Sequence, residues 1–373
     1  GIWNGLYTNI ANINNILAQI DAKKPVFTGD NFSQVKGEAI ALRALFHFDL
    51  ARLFGQPPIT GMNAKAIPYV TKFGVTATPF STLQNVLDSC LADLSTAKNL
   101  LSQTDTSAVV KAVEDPFKSY TQNHLNYWAV QALMARVYLY KGDGENADKY
   151  AKAVIGSNKF PLITSNVAAV NNAVRDRTFS QEHLFSVYAS NTTTYNLSLF
   201  NQSVTTSTPL RLQPAGKNAV YTTGTGSAGD YRYSSWFDNS QVNVNVPSKF
   251  FQDNNLPYHL QNIVPVLRAS EMYYIAAEVA NAKGDLTAGT AMLNQVRQAR
   301  GLTALNAAGI GNSDSLSKEI MREYKKEFIQ EGQTFFYYKR LNKDLKQVTG
   351  TTAVVPADVY VLPIPDKEKE YNQ

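Results

Sequence analysis

Apolar residues recur along residues 1–160 at the three- and four-residue spacing of amphipathic helices. Ile2, Leu6, Ile10, Ile13, Leu17 and Ile20 form one stripe, and "EAIALRALFHFDLARLF" (38–54) carries a second. A third runs through Leu83, Val86, Leu87, Cys90, Leu91 and Leu94, and a fourth spans Tyr127 to Tyr140. Helical spacing returns over residues 265–345, where Leu316, Ile320, Tyr324 and Phe328 stand four apart. Between about 160 and 262 the pattern gives way to Thr, Asn, Ser, Gly and Tyr, with alternation such as "QVNVNVP" (241–247) that suits short strands or loops. The pattern predicts a mainly α chain: an N-terminal helical part (1–160), a loop and short-strand insertion (161–262), and a C-terminal helical part with a closing tail (263–373).

An internal repeat sharpens this. "LMARVYLYKGDGENADKYAKAVI" and "IAAEVANAKGDLTAGTAMLNQVR" superpose with Ala135 on Ala277 and Lys-Gly-Asp at 141–143 on 283–285. Glycine ends one helix, aspartate caps the next, and small residues let the pair pack closely. This is the logic of tetratricopeptide-like helix pairs, which bury their apolar faces by stacking on neighbours.

Composition removes several classes of function. The net charge of +5 comes from scattered basic residues, in runs no longer than pairs such as Lys23-Lys24, so no nucleic-acid partner is expected. The single cysteine, Cys90, excludes an internal disulfide and lies in a helical apolar stripe, so it reads as a buried small residue. Histidines 47, 124, 183 and 259 lack metal-ligand spacing, and no phosphate-binding loop or nucleophile elbow is present, so neither cofactor nor metal is expected. No apolar run reaches membrane-spanning length. The chain begins at Gly1, from which a removed leader is expected.

Four blocks carry a family resemblance. They are Gly37-Glu38-Ala39 with Leu42-Arg43-Ala44 and Phe54-Gly55-Gln56-Pro57; Arg268, Glu271, Ala277, Glu278, Asn294, Arg297 and Arg300-Gly301-Leu302; Glu323, Glu327, Glu331-Gly332 and Arg340; and Pro363 to Pro365 with Glu368 and Asn372. In this order they resemble the SusD/RagB family of outer-membrane nutrient-binding lipoproteins of Bacteroidetes. The resemblance implies one SusD-like α/α superhelix over 1–373. It further implies a non-enzymatic cell-surface protein that captures oligosaccharides and lids a TonB-dependent transporter of the SusC type, held to the membrane through a lipid anchor. Two departures stand out. Thr334 and Tyr337 replace an Arg and an Asp common in the family, which removes a local ion pair. The chain is also shorter than most members and lacks their N-terminal lipidation cysteine, so a leading segment is expected to be missing.

The helix of 38–54 is then a scaffold, with the Pro-Pro turn setting the exit of a loop and Arg43 and Arg52 serving interhelical salt links. Arg268, Glu271 and Glu278 read as a structural ion-pair network, and Asp230-Tyr231-Arg232 as a structural turn. For ligand contact the aromatic loops are favoured, because Trp and Tyr offer a sugar both a flat face and a polar tip. The candidates are Trp236, Tyr195, Tyr221, Tyr231 and Tyr233, with Tyr69 and Phe73 after the Pro-Pro turn; each could instead anchor its own loop. A peptide-binding or scaffolding repeat protein is the alternative reading. A glycosidase would need two carboxylates across a cleft, and no pair recommends itself. The tail "VLPIPDKEKEYNQ" should lie against the helical body, because Val361, Leu362 and Ile364 need burial.

Overall fold

The computed structural model of the chain describes residues 1–108, 111–164, 171–200, 210–212, 216, 220–221, 229–237, 246–252, 255–346, 352, 354–356 and 358–371. Among them the chain is mostly helical, with two small antiparallel sheets. Most of the alternating stretch 241–247, and Asn372, lie outside the described residues.

Helices α1 (Ile2–Gln19), α2 (Asn31–Phe54) and α3 (Leu83–Leu101) pack side by side, and α4 (Tyr127–Lys141) continues the layer. Ala39, Ala41, Ala44 and Ala51 are buried on α2, so neighbouring helices approach its backbone closely. Cys90 is buried on α3 beside the Ala44 carbonyl, as its stripe predicts. Arg43 links three helices. Its Nε and Nη2 each donate to Asp93 of α3 at 2.7 Å, and its Nη1 donates to Asn14 of α1 at 3.1 Å. Arg52 departs from the expected interhelical link: its ion pair is with Asp49 on the same helix, and its guanidinium lies 4.6 Å from the Phe48 ring centroid and 3.9 Å from that of Phe336.

The corner that ends α2 requires glycine for a steric reason. Gly55 sits in ordinary extended backbone (φ −78°), but a Cβ there would lie 2.7 Å from the Ala51 carbonyl oxygen and 3.3 Å from the Ala66 Cβ. The corner is also a docking point. Lys339 Nζ donates to the Gly55 carbonyl at 2.6 Å, and the Leu362 amide donates to the Leu53 carbonyl at 3.0 Å. The tail therefore meets the helical body as expected, with Leu362 and Ile364 half-buried. Burial and then the Arg52 charge bring the Lys339 ammonium down to about 7.

The repeat folds twice into the same hairpin. Helices α4 and α5 (Gly144–Gly156) are joined through Gly142 (φ 90°), and α6 (Ala269–Ala282) and α7 (Leu286–Ala299) through Gly284 (φ 78°), a left-handed conformation that favours glycine. Asp143 accepts from the Asn146 amide at 3.0 Å and Asp285 from the Ala288 amide at 2.9 Å, capping the second helix of each pair. Helix α5 packs on α6, so the hairpins stack. Helices α8 (Ser313–Glu327) and α9 (Gln333–Arg340) close a second core, in which Leu316, Ile320, Tyr324 and Phe328 are all buried. Tyr337 stacks on Tyr324, with 4.5 Å between ring centroids.

Strand β1 (Lys65–Pro68) pairs with β2 (Phe80–Thr82), bounding the loop that holds Tyr69 and Phe73. Strand β3 (His183–Tyr188) pairs with β4 (Ile263–Arg268) across the whole middle of the chain. This second sheet brings Glu182 and Arg268 to one end and Tyr188 to the other, because His183 pairs with Arg268 and Tyr188 with Ile263.

Candidate functional site

The carboxylates split into structural pairs whose partners come from far along the chain. Glu271 receives Arg136 Nε at 2.7 Å and Nη2 at 2.5 Å, and Glu278 receives Arg340 at 2.6 Å. Arg268 belongs to a different assembly. It bonds Glu182, Glu327 and Glu331; Arg300 bonds Glu182 and Glu327; Arg232 bonds Asp230, Glu323 and Glu327. With Lys249 on Glu331, and Lys326 and Arg297 on Glu323, six cations and five carboxylates connect among the described residues. Burial alone would raise the Glu323 carboxyl, but Arg232, then Lys326 and Arg297, hold it down at about 2. Each of these five carboxylates is paired with a cation and its side chain is buried out of reach of a substrate, unlike the unpaired acid that glycoside hydrolysis needs.

This network fixes the segment 229–237. Asp230 accepts from the Arg232 amide at 3.1 Å and from its Nη2 at 2.8 Å, the structural turn predicted for Asp230-Tyr231-Arg232. It also corrects the leading ligand candidate. Trp236 has no exposed surface: its Nε1–H donates to the Arg177 carbonyl at 2.6 Å, one face lies on Phe179, and Lys249 Nζ sits 3.9 Å from the ring centroid. Tyr221 is likewise fully buried, with its hydroxyl donating to the Lys326 carbonyl at 3.1 Å. Neither ring offers a face to a ligand; both are core. Tyr231 and Tyr233 are half-buried. Tyr231 packs on Gly301, where a Cβ would lie 2.9 Å from its ring, and Tyr233 meets the rings of Tyr221 and Phe237. Tyr69 stacks on His47 at 4.0 Å and donates to Asp93 at 2.7 Å. His47 is structural too: Nε2 accepts from the Val70 amide at 2.9 Å while Nδ1 faces the Arg43 carbonyl at 2.8 Å, and burial lowers its pKa to about 4.

Tyr195 remains open, at 60% exposure, and Phe73 at 58%. Two tyrosines absent from the sequence candidates join Tyr195: Tyr188 at 57% and Tyr258 at 79%. Three segments bring them to the same end of the β3–β4 sheet. Tyr188 ends β3, the Ala189 amide donates to the Asn262 carbonyl at 2.8 Å, the helix Thr192–Leu199 carries Tyr195, and the turn Tyr258–Leu260 leads into Asn262 and β4. Asn191 and Gln261 add amides there. The burial of β3 runs out at Val187, which is why Tyr188 is outside the core although it continues the strand.

A separate groove lies between α2, α3 and the start of α4, with Trp128, Phe117 and Leu101 beside Glu38 and His124. His124 Nδ1 lies 3.0 Å from both Glu38 oxygens, and this bond raises the imidazole pKa against the opposing effect of burial. Among the described residues no group of three or more His, Cys, Asp or Glu could hold a metal ion, and no helix is long and apolar enough to cross a membrane.

Comparison with known proteins places this architecture. A family described as starch-binding and associating with the outer membrane matches residues 1–139, and the SusD family matches residues 102–371. A SusD-like protein of Formosa agariphila is 24% identical over 390 residues, covering 89% of this chain and 71% of its own. A SusD superfamily protein of Bacteroides thetaiotaomicron superposes with a TM-score of 0.75 at 23% identity, covering 99% of this chain and 83% of its own. A SusD-like carbohydrate-binding protein of Bacteroides vulgatus gives 0.75 at 19%, covering 100% and 82%. The SusD match spans well over half of the sequence and takes in both the stacked hairpins and the buried ion network, so this chain belongs to the SusD family.

Proposed function

We propose that the protein is a non-enzymatic sugar-binding protein of the cell surface, lipid-anchored at the outer membrane, that captures oligosaccharides for import through a SusC-type TonB-dependent transporter. One observation carries the choice of ligand face: with Trp236 and Tyr221 in the core, the strongly exposed rings Tyr188, Tyr195 and Tyr258 gather at one end of the β3–β4 sheet. Flat exposed rings among amides suit the axial C–H faces and hydroxyls of sugars, and a solvent-facing platform suits a ligand that must be handed on. Family membership and the carbohydrate-binding fold neighbour support the same reading. Among the described residues the buried carboxylates are all paired with cations, which supports binding without turnover.

The test is a glycan and peptide array, followed by affinities of Tyr195→Ala and Tyr258→Ala for any glycan bound. Each substitution should weaken binding by about 1–3 kcal/mol and leave thermal stability nearly unchanged. Full affinity in both variants would remove this face from the site; binding to peptides alone would overturn the sugar reading. Co-purification with a TonB-dependent transporter from the native membrane tests the partner.

A further inference from the structure

A second, small cleft lies where α2, α4, α6, α8 and α9 meet. Its guanidinium groups are already bonded to carboxylates: Arg52 to Asp49, Arg136 to Glu271 and Arg340 to Glu278. Three donors are nevertheless left over. Arg52 Nε, Arg136 Nη1 and the Tyr140 hydroxyl are buried with no hydrogen-bond partner among the described residues, and all three side chains line the cleft. Arg52, Arg136 and Tyr140 are only 3%, 6% and 3% exposed, so bulk water does not serve them. Each leftover group can donate, and the two guanidinium nitrogens can only donate. A buried donor without an acceptor carries an unrecovered desolvation cost, which an incoming acceptor restores.

We propose that this cleft binds a carboxylate group. Two planar oxygens with four lone-pair sites match a set of donors split between guanidinium forks and a phenol. Three carboxylates already balance the three arginines, so the unpartnered donors, and not a net positive charge, hold the group, and a dianion is disfavoured. The rim residues Phe336 and Gln333 are half-buried, which leaves a way in from the surface. The carboxylate could be that of a free small acid or of a uronic acid within a glycan. The cleft is formed by other elements than the tyrosine platform, so either can fail without the other.

The test uses the full chain with sodium acetate, sodium glucuronate, glucose and sodium sulfate at matched ionic strength, read by melting temperature and by ligand-observed NMR. Acetate or glucuronate should bind, and glucose and sulfate should not; acetate alone points to free acids, and glucuronate alone to acidic glycans. Tyr140→Phe removes one donor without disturbing an ion pair. It should weaken carboxylate binding by about tenfold, the value of one hydrogen bond to a charged group, while its own melting temperature in chloride stays level or rises. Arg52→Lys, which keeps the charge and loses Nε, should weaken binding similarly. No binding of either carboxylate, sulfate binding as well as acetate, or equal affinity in Tyr140→Phe would overturn the proposal and assign the three donors to ordered water.

Discussion

Replacing Glu327 by Gln tests whether the buried ion network holds the middle of the chain in place. The Glu327 carboxylate accepts from Arg268 Nη1 at 2.7 Å, Arg300 Nη2 at 2.7 Å, Arg300 Nε at 3.1 Å and Arg232 Nη1 at 3.2 Å, with no exposed surface on any of these side chains. Glutamine keeps the shape, removes the charge and turns an NH2 towards guanidinium donors. Six cations would then face four carboxylates. Removing one partner of a buried pair costs about 3–5 kcal/mol, because the remaining charge cannot return to water. Two of the four bonds lose their acceptor to the NH2 and the other two lose the carboxylate charge; these effects are not additive, so the figure stays near that range. Urea titration followed by tryptophan fluorescence gives the value. Of the three tryptophans, Trp236 reports on the network region, and Trp3 and Trp128 on the N-terminal layer. Glu319→Gln is the control, since its partner Arg322 is on the surface and the pair should be worth under about 1 kcal/mol. A loss for Glu327→Gln below about 1 kcal/mol, or equal to the control, would refute the reasoning.

Two further outcomes follow from the packing. Trp236→Ala should cost about 3–5 kcal/mol of stability while the folded fraction keeps the parent's glycan affinity; a stable variant with weakened binding would return Trp236 to the site. The His124–Glu38 pair should stabilise the protein fully below a pH of about 6.5, the unfolded histidine value, and lose that contribution as pH rises through the raised folded value. His124→Gln should flatten the difference in melting temperature between pH 5 and pH 9, and a parent protein that instead gains stability across that interval relative to the variant would contradict the assignment.

The helices were legible because their apolar stripes need no knowledge of a partner, and the repeated Lys-Gly-Asp corner encodes its own geometry through a left-handed glycine and an aspartate cap. The charges were legible in kind and not in pairing. Glu271 and Arg268 are three residues apart, yet Glu271 binds Arg136, 135 positions away, while Arg268 joins carboxylates on either side of it in sequence. The burial of Trp236 had no local sign either. It lies in a Ser- and Tyr-rich stretch, and what covers it, Phe179 and Lys249, comes from segments remote in sequence. Tyr188 could have been found: it ends the run "HLFSVY" just before polar residues, where a strand leaves its core. Tyr258, between Pro257 and His259 in an irregular segment, carries no such mark.

The network also bears on how the protein is made. Glu182 and Arg232 leave the ribosome well before Glu323, Glu327 and Glu331, and until those arrive the early charges have no buried place to go. The middle segments therefore lack these partners at first, while the N-terminal helices, whose pairs such as Arg43 with Asp93 are complete once α3 is made, can settle earlier. A chain stopped before residue 323 would keep the local bonds of the Asp230 turn and lose the Glu323 and Glu327 partners of Arg232, so the last helices are what anchor that turn to the helical body.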